Sequence, residues 1–149
     1  MRLKRIACSC LMLLMLMLGA CEKAPLNSDI EGHWQLEQFT VLATNEVVPC
    51  RYLYYGITRM VTEVARKAGD KENVSFVART SYGESETVLI LSNFKVNGYN
   101  TDLGVNATAS QLKPFGIVNP EKTSFKVLKV SQKQLVLESD YARLQLRKF

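Results

Sequence analysis

The chain has 149 residues, a length typical of one domain, and its 19 basic and 14 acidic residues give a net charge of +5. The charges are scattered rather than gathered in one block, and Arg2, Lys4 and Arg5 fall in a segment that we expect to be removed. What remains is close to neutral, which argues against a nucleic-acid partner.

The N-terminal segment has the layout of a secretory signal. A positive start precedes an apolar run over residues 6–18 that is broken only by Ser9. Such a run matches the apolar core of a signal peptide, about 7–15 residues, and is shorter than the roughly 20 residues that span a bilayer. Residues 1–20 are therefore predicted to be a cleaved signal peptide.

The end of this segment, Leu18-Gly19-Ala20-Cys21, closely resembles the lipobox of bacterial lipoproteins. That resemblance implies cleavage just before Cys21, diacylation of its thiol and acylation of the new amine. Two or more acyl chains hold a protein on a membrane stably, whereas one does not. We therefore expect Cys21 to anchor the protein to a bacterial membrane and residues 21–29 to be a short tether. The outer membrane is the predicted location, and the leaflet stays open.

Cysteine usage leaves one thiol in the predicted domain. Cys8 and Cys10 leave with the signal peptide and Cys21 is lipidated, so Cys50 has no partner for an internal disulfide. We interpret Cys50 as a half-buried small apolar residue rather than a reactive thiol.

The first strand is predicted at 33–41, where Trp34 and Leu36 alternate with polar residues. Phe39 and Val41 have the opposite parity, so a bulge near Glu37-Gln38 is needed to keep one inward face. Residues 55–66 are ambiguous, because the apolar spacing suits a helix while the many β-branched residues favour a strand. We predict a strand there, with a helix as the alternative.

Six further strands are predicted from alternation and turn residues. Asn97-Gly98 is a strong hairpin signal, and residues 109–115 suit a short helical turn before Gly116. The strands lie at 74–82, 87–96, 103–109, 124–130, 134–139 and 142–148. Parallel pairing would need crossovers of a dozen or more residues, so we predict an all-β, antiparallel up-and-down barrel of eight strands over residues 30–149.

Gly32-His33-Trp34 resembles the Gly-x-Trp signature of the lipocalin superfamily. Together with the lipobox, the tether, the segment 112–117 and the ending 146–149, it is similar to the small lipocalin-like lipoproteins of Bacteroidetes. The resemblance implies a lipocalin-like barrel in which Gly32 and Trp34 are structural and a late arginine crosses the Trp34 ring. Arg147 is the candidate for that arginine and Arg143 the alternative. The chain is shorter than secreted lipocalins and lacks their disulfide.

Catalytic and cofactor motifs are missing from the sequence. The sole histidine, His33, adjoins Trp34, so no triad or zinc site can be assembled around it. No P-loop or dinucleotide fingerprint occurs. We therefore predict neither an enzyme, a cofactor nor a metal site.

The aromatic run Tyr52-Leu53-Tyr54-Tyr55 is the richest candidate for binding. We predict that residues 42–54 form a loop over the barrel end opposite Trp34, where Arg51, Tyr52 and Tyr54 would contact a small apolar or amphipathic ligand; plain strand packing is the competing interpretation. The alternative function is a protein-interaction or accessory subunit of an outer-membrane complex, with a filled barrel. A cavity of about 300 Å³ or more favours the ligand, and a packed interior favours the alternative.

Overall fold

The computed structural model describes residues 29–69, 73–98 and 102–149. The predicted signal peptide, Cys21 and nearly all of the predicted tether lie outside these ranges. The strands are β1 (Gly32–Val41), β2 (Glu46–Ile57), β3 (Val61–Arg66), β4 (Val74–Gly83), β5 (Val88–Asn97), β6 (Asp102–Asn106), β7 (Lys122–Val130), β8 (Gln134–Glu138) and β9 (Ala142–Lys148). A one-turn helix, α1 (Ala109–Leu112), continues into a 3-10 turn at Lys113–Phe115.

Eight of the strands close into an antiparallel up-and-down barrel. The order around the ring is β4-β3-β2-β1-β9-β8-β7-β5, and β5 pairs back with β4. β6 pairs with β5 outside this ring. The predicted all-β barrel of eight antiparallel strands is confirmed.

The eight strands are not, however, the eight that the sequence predicted. The predicted strand 55–66 is the end of β2 and the whole of β3, separated by a turn in which the Thr58 amide donates to the Val61 carbonyl at 2.9 Å. The predicted strand 103–109 is the short β6, which lies outside the ring. The prediction therefore merged two barrel strands into one and counted β6 as a barrel strand. These two errors offset each other and leave the total at eight.

The predicted bulge in β1 is confirmed. The pairing of β1 with both β2 and β9 shifts register between Leu36 and Gln38. Because of this shift Trp34, Leu36 and Phe39 are all buried in the barrel.

The barrel has two structurally different ends. At the tryptophan end lie the start of β1 and the turns at 58–60, 84–87 and 131–133. At the opposite end, the plug end, lie the turns at 42–45 and 139–141 and the segment 109–117, which we call the plug.

The plug reaches into the barrel and contributes to its core. Leu112, Phe115 and Ile117 are fully buried, and the rings of Phe115 and Phe76 meet edge to face at 6.0 Å. The Tyr55 hydroxyl donates to the Phe115 carbonyl at 2.5 Å. Gly116 adopts φ 75°, and a Cβ there would collide with Leu144.

Large side chains fill the interior between the two ends. The fully buried aromatic residues are Trp34, Tyr55, Phe76, Phe94, Phe115 and Phe125. They join one continuous hydrophobic core with the inward-facing leucines of β1, β5, β8 and β9. The barrel is thus packed with its own side chains.

Candidate functional site

Trp34 lies at the centre of a tight cluster at the tryptophan end. Its indole nitrogen donates to the Ile30 carbonyl at 2.7 Å, and the Lys148 ammonium sits 4.3 Å from the ring centroid. The same ammonium donates to the Glu31 carbonyl at 3.2 Å. Gly32 has φ 140°, and a Cβ there would collide with the Lys148 ammonium, so glycine makes room for this cation.

The predicted assignment of Arg147, or Arg143, to the Trp34 ring is wrong. Cross-strand partners share a face, and Trp34 faces Lys148 while its neighbour Gln35 faces Arg147. Arg147 therefore points outward, where it contacts Glu37 at 3.0 Å and Gln35 at 2.6 Å. Arg143 is likewise outside, paired with Glu138 at 2.7 Å.

The predicted gating loop at 42–54 is also wrong. Only residues 42–45 form a turn, and residues 46–57 form β2, paired with β1. β2 extends upstream to Glu46 despite Pro49, although its inward-facing positions change parity between Cys50 and Leu53. The plug, rather than this segment, covers the end opposite Trp34.

Arg51 and Tyr52 nevertheless lie together in a groove at the plug end, which we call the edge groove. Its volume is about 330 Å³, and it is lined by Val48, Pro49, Cys50, Arg51, Tyr52, Leu53, Arg66, Ala68 and Pro114. Tyr52 is 53% exposed and has φ 59°, and its carbonyl accepts from the Lys67 amide at 2.9 Å. The groove carries two guanidinium groups, those of Arg51 and Arg66.

The edge groove exists because β3 is shorter than β2. The pairing of β3 with β2 begins at Leu53, so within the described ranges residues 46–49 are paired with β1 on one side only. Pro49 lies in this stretch, and proline is confined to edge strands because it has no amide to donate. An edge of this kind can accept an extended segment of another chain.

Tyr54 does not belong to the edge groove. It packs on the outer face of the barrel against Phe149, with ring centroids 5.1 Å apart and an edge-to-face geometry. The Lys67 ammonium lies 5.9 Å from the Tyr54 centroid. The structure therefore brings together two of the three residues predicted to bind a ligand and separates the third.

Cys50 borders the edge groove, and its thiol is a poor nucleophile. Burial raises its pKa to about 11, and a hydrogen bond with the Phe39 backbone only partly opposes this rise. At neutral pH the group is therefore a protonated thiol.

A second groove, the rim groove, opens at the tryptophan end. Its volume is about 830 Å³, and it is lined by Arg59, Met60, Thr80, Ser81, Tyr82, Gly83, Glu84, Ser85 and Glu86. The Tyr82 hydroxyl is buried and has no hydrogen-bond partner among the described residues. Burial, reinforced by the carboxylates of Glu31 and Glu86, raises the pKa of Tyr82 to about 12.

Sequence analysis missed the rim groove. The only prediction for this region is the strand 74–82, which ends at Tyr82. In the structure Glu84, Ser85 and Glu86 all have left-handed backbone angles, with φ of 39°, 54° and 65°. Three such residues in succession shape the turn, and nothing in their residue types predicts it.

Within the described parts of the chain, no group of three or more histidine, cysteine or carboxylate side chains could hold a metal ion. Those parts also contain no helix long and apolar enough to cross a membrane. His33 is exposed at the tryptophan end.

Known proteins resemble this chain in sequence pattern and in fold. A model of the lipocalin-like domain matches residues 14–149. A lipocalin-like protein from Bacteroides uniformis is 20% identical, with 82% of this chain and 100% of that chain covered at a TM-score of 0.62. An uncharacterized protein from Bacteroides eggerthii is 16% identical, with 81% and 100% covered at a TM-score of 0.62. The chain has no significant match among curated proteins.

Proposed function

The chain belongs to the lipocalin-like domain family, and from that premise we propose that it is a non-catalytic lipoprotein whose filled barrel binds a protein partner at the bacterial outer membrane. Acyl chains on Cys21 provide the anchor. The partner contacts the outside of the barrel at the edge groove.

The filled interior is the observation that carries this proposal. Fully buried aromatic side chains occupy the space that a cargo molecule would need, and the plug covers one end. Emptying that space would break the Phe115–Phe76 contact and the hydrogen bond from Tyr55 to the Phe115 carbonyl. A barrel packed in this way supports interaction through its surface more than storage of a ligand inside.

The chemistry of the edge groove supports a partner of a definite kind. Arg51 and Arg66 offer guanidinium forks that suit carboxylates, and the exposed Tyr52 ring offers apolar area at low entropic cost. The one-sided strand at 46–49 offers backbone hydrogen bonds. An extended, acidic segment of another protein matches all three features.

Anchoring can be tested independently of the partner. Cells given a radioactive fatty acid should label the wild-type chain but not the Cys21→Ala variant, because the thiol carries the acyl chains. Equal labelling of the two chains would remove the lipoprotein part of the proposal.

The partner surface can be tested by placing a photo-crosslinking residue at position 52 in cells. We expect a discrete protein adduct that is lost when Arg51→Glu is added. Val105, which is also exposed but lies on β6, is the matched control position and should give no such adduct. Identical adducts from positions 52 and 105 would contradict a specific edge-groove interface.

A small apolar or amphipathic ligand is the second candidate function, and the rim groove is the observation that favours it. The Tyr82 hydroxyl is buried beside that groove and lacks a partner among the described residues. A bound polar head group would satisfy it, since an unpaired buried hydroxyl carries a free-energy penalty. A molecule that co-purifies with the wild type and is lost from Tyr82→Phe would support this candidate, and equal retention by both would oppose it.

A further inference from the structure

We infer that the tryptophan end of the barrel rests on the membrane surface, through an exposed patch formed by Leu128, Val130, Lys129 and Lys133 of the β7–β8 hairpin, with Phe149 beside it. This inference depends on the proposed anchoring at Cys21. It adds an orientation and a second contact, made by the folded domain with phospholipid.

The first support is the point at which the chain enters the barrel. Ile30 is fully buried, and its carbonyl accepts from the Trp34 indole, so the domain begins at the tryptophan end. Eight residues lie between Cys21 and Ile30, and a fully extended chain over these nine Cα-to-Cα steps spans about 30 Å at most. The tryptophan end is therefore the end held closest to an anchor on Cys21.

The second support is the kind of apolar side chain exposed at each end. Phe149 is 75% exposed, Met60 73% and Leu128 49%, and all three lie at or near the tryptophan end. The exposed apolar residues at or near the plug end are valines and Tyr52, for example Val47 and Val118. Long apolar side chains enter the boundary between head groups and acyl chains more effectively than valine does.

The third support is that the patch joins neighbouring elements and carries positive charge. The Lys148 amide donates to the Lys133 carbonyl at 2.9 Å, which places the segment before Phe149 beside the β7–β8 turn. Lys129 and Lys133, both exposed, lie on that hairpin and turn. Lysines next to apolar side chains favour anionic phospholipid head groups.

The acidic β4–β5 turn also lies at the tryptophan end, and its charge indicates which side of that end lies nearer the membrane. Glu84 and Glu86 are exposed on the β4–β5 turn, next to the rim groove. Negative charge is repelled by anionic lipid, so the β7–β8 side should lie nearer the surface than the β4–β5 side.

The experiment uses the acylated protein in vesicles of phosphatidylethanolamine and phosphatidylglycerol. Single spin labels are attached to Leu128→Cys and, as the matched control, Val47→Cys, each in a Cys50→Ala background. Flotation with the vesicles is measured first, and failure to float would count against anchoring at Cys21. In floating protein we expect the label at 128 to collide with a water-soluble nickel chelate at least about threefold less than the label at 47.

Equal accessibility of the two labels in floating protein would overturn the inference while leaving the anchor intact. A charge-reversal variant, Lys129→Glu with Lys133→Glu, should raise the accessibility of the label at 128, because repulsion lifts this side from the anionic surface. Unchanged accessibility in that variant would overturn the role given to the two lysines.

Discussion

Trp34 is fixed by contacts of three kinds, and each has a separate origin in the sequence. The indole hydrogen bond goes to Ile30, four residues earlier, and the cation comes from Lys148 at the other end of the domain. Gly32 supplies the space for that cation. The Gly-x-Trp motif is thus explained by packing.

Trp34→Ala should destabilise the protein by about 3–5 kcal/mol, because it removes a fully buried large aromatic side chain. Urea denaturation followed by circular dichroism measures the loss. An unchanged midpoint would mean that the Trp34 cluster contributes little to the fold.

Lys148→Met should lower the free energy of unfolding by about 1 kcal/mol, since the ammonium over the Trp34 ring and its bond to the Glu31 carbonyl are lost. Arg147→Met is the matched control on the neighbouring outward position. It should change the free energy by less than about 0.5 kcal/mol, because exposed ion pairs contribute little. A larger loss from Arg147→Met than from Lys148→Met would contradict the assignment.

Cys50 should react slowly with iodoacetamide in the folded protein. Its raised pKa of about 11 leaves the thiol protonated at pH 8.5, whereas unfolding restores an ordinary thiolate fraction. We expect alkylation in urea to be at least about tenfold faster than in buffer, judged by mass spectrometry. Equal rates would show that Cys50 is not shielded.

At the scale of elements, local patterns were sufficient for some strands and misleading for others. The parity change between Leu36 and Phe39 predicted the β1 bulge, because only one arrangement buries both side chains. The turn at 58–60 carries no glycine or proline, so nothing local separated β2 from β3. β6 alternates like a barrel strand, and only its pairing partner shows that it lies outside the ring.

The plug is the element whose importance sequence analysis underestimated. A short helical turn was predicted at 109–115, but its insertion into the barrel depends on Phe76, Tyr55 and Leu144, which are remote in sequence. Leu112, Phe115 and Ile117 were the available signal, since three apolar residues in a short connection are seldom left in water.

Phe115→Ala should destabilise the protein by about 3–5 kcal/mol, because it opens a cavity under the plug and loses the contact with Phe76. Val118→Ala, one residue beyond the plug and partly exposed, should change stability by less than about 0.5 kcal/mol. Thermal unfolding of both variants measures the difference. Similar melting temperatures for Phe115→Ala and wild type would contradict a packed plug.

At the scale of the whole molecule, the fold could be predicted from the sequence, but only part of the candidate binding site could. Short turns and alternating strands left an antiparallel closed barrel as the simplest arrangement. Arg51 and Tyr52 were predicted to share a site, and they do line one groove. Tyr54 lies elsewhere because β2 carries it toward the tryptophan end. Sequence analysis did not foresee this, because Pro49 concealed how far β2 extends upstream.

The two proposed roles, membrane contact and partner binding, are assigned to opposite ends of the barrel. The tryptophan end receives the chain from Cys21 and carries the apolar and lysine patch, whereas the edge groove with Arg51 and Tyr52 lies toward the plug end. A domain lying on the membrane by its tryptophan end would therefore present the edge groove away from the lipid, where an acidic segment of a partner can reach it.

Native mass spectrometry of the protein extracted from its own membrane tests the central claim most directly. We predict an acylated chain of residues 21–149 in stoichiometric complex with a second protein, and no small molecule retained by the isolated chain. The variant Arg51→Glu should release the second protein while keeping the acyl mass. An acylated chain that carries no protein but retains a small molecule at one-to-one stoichiometry would contradict the account.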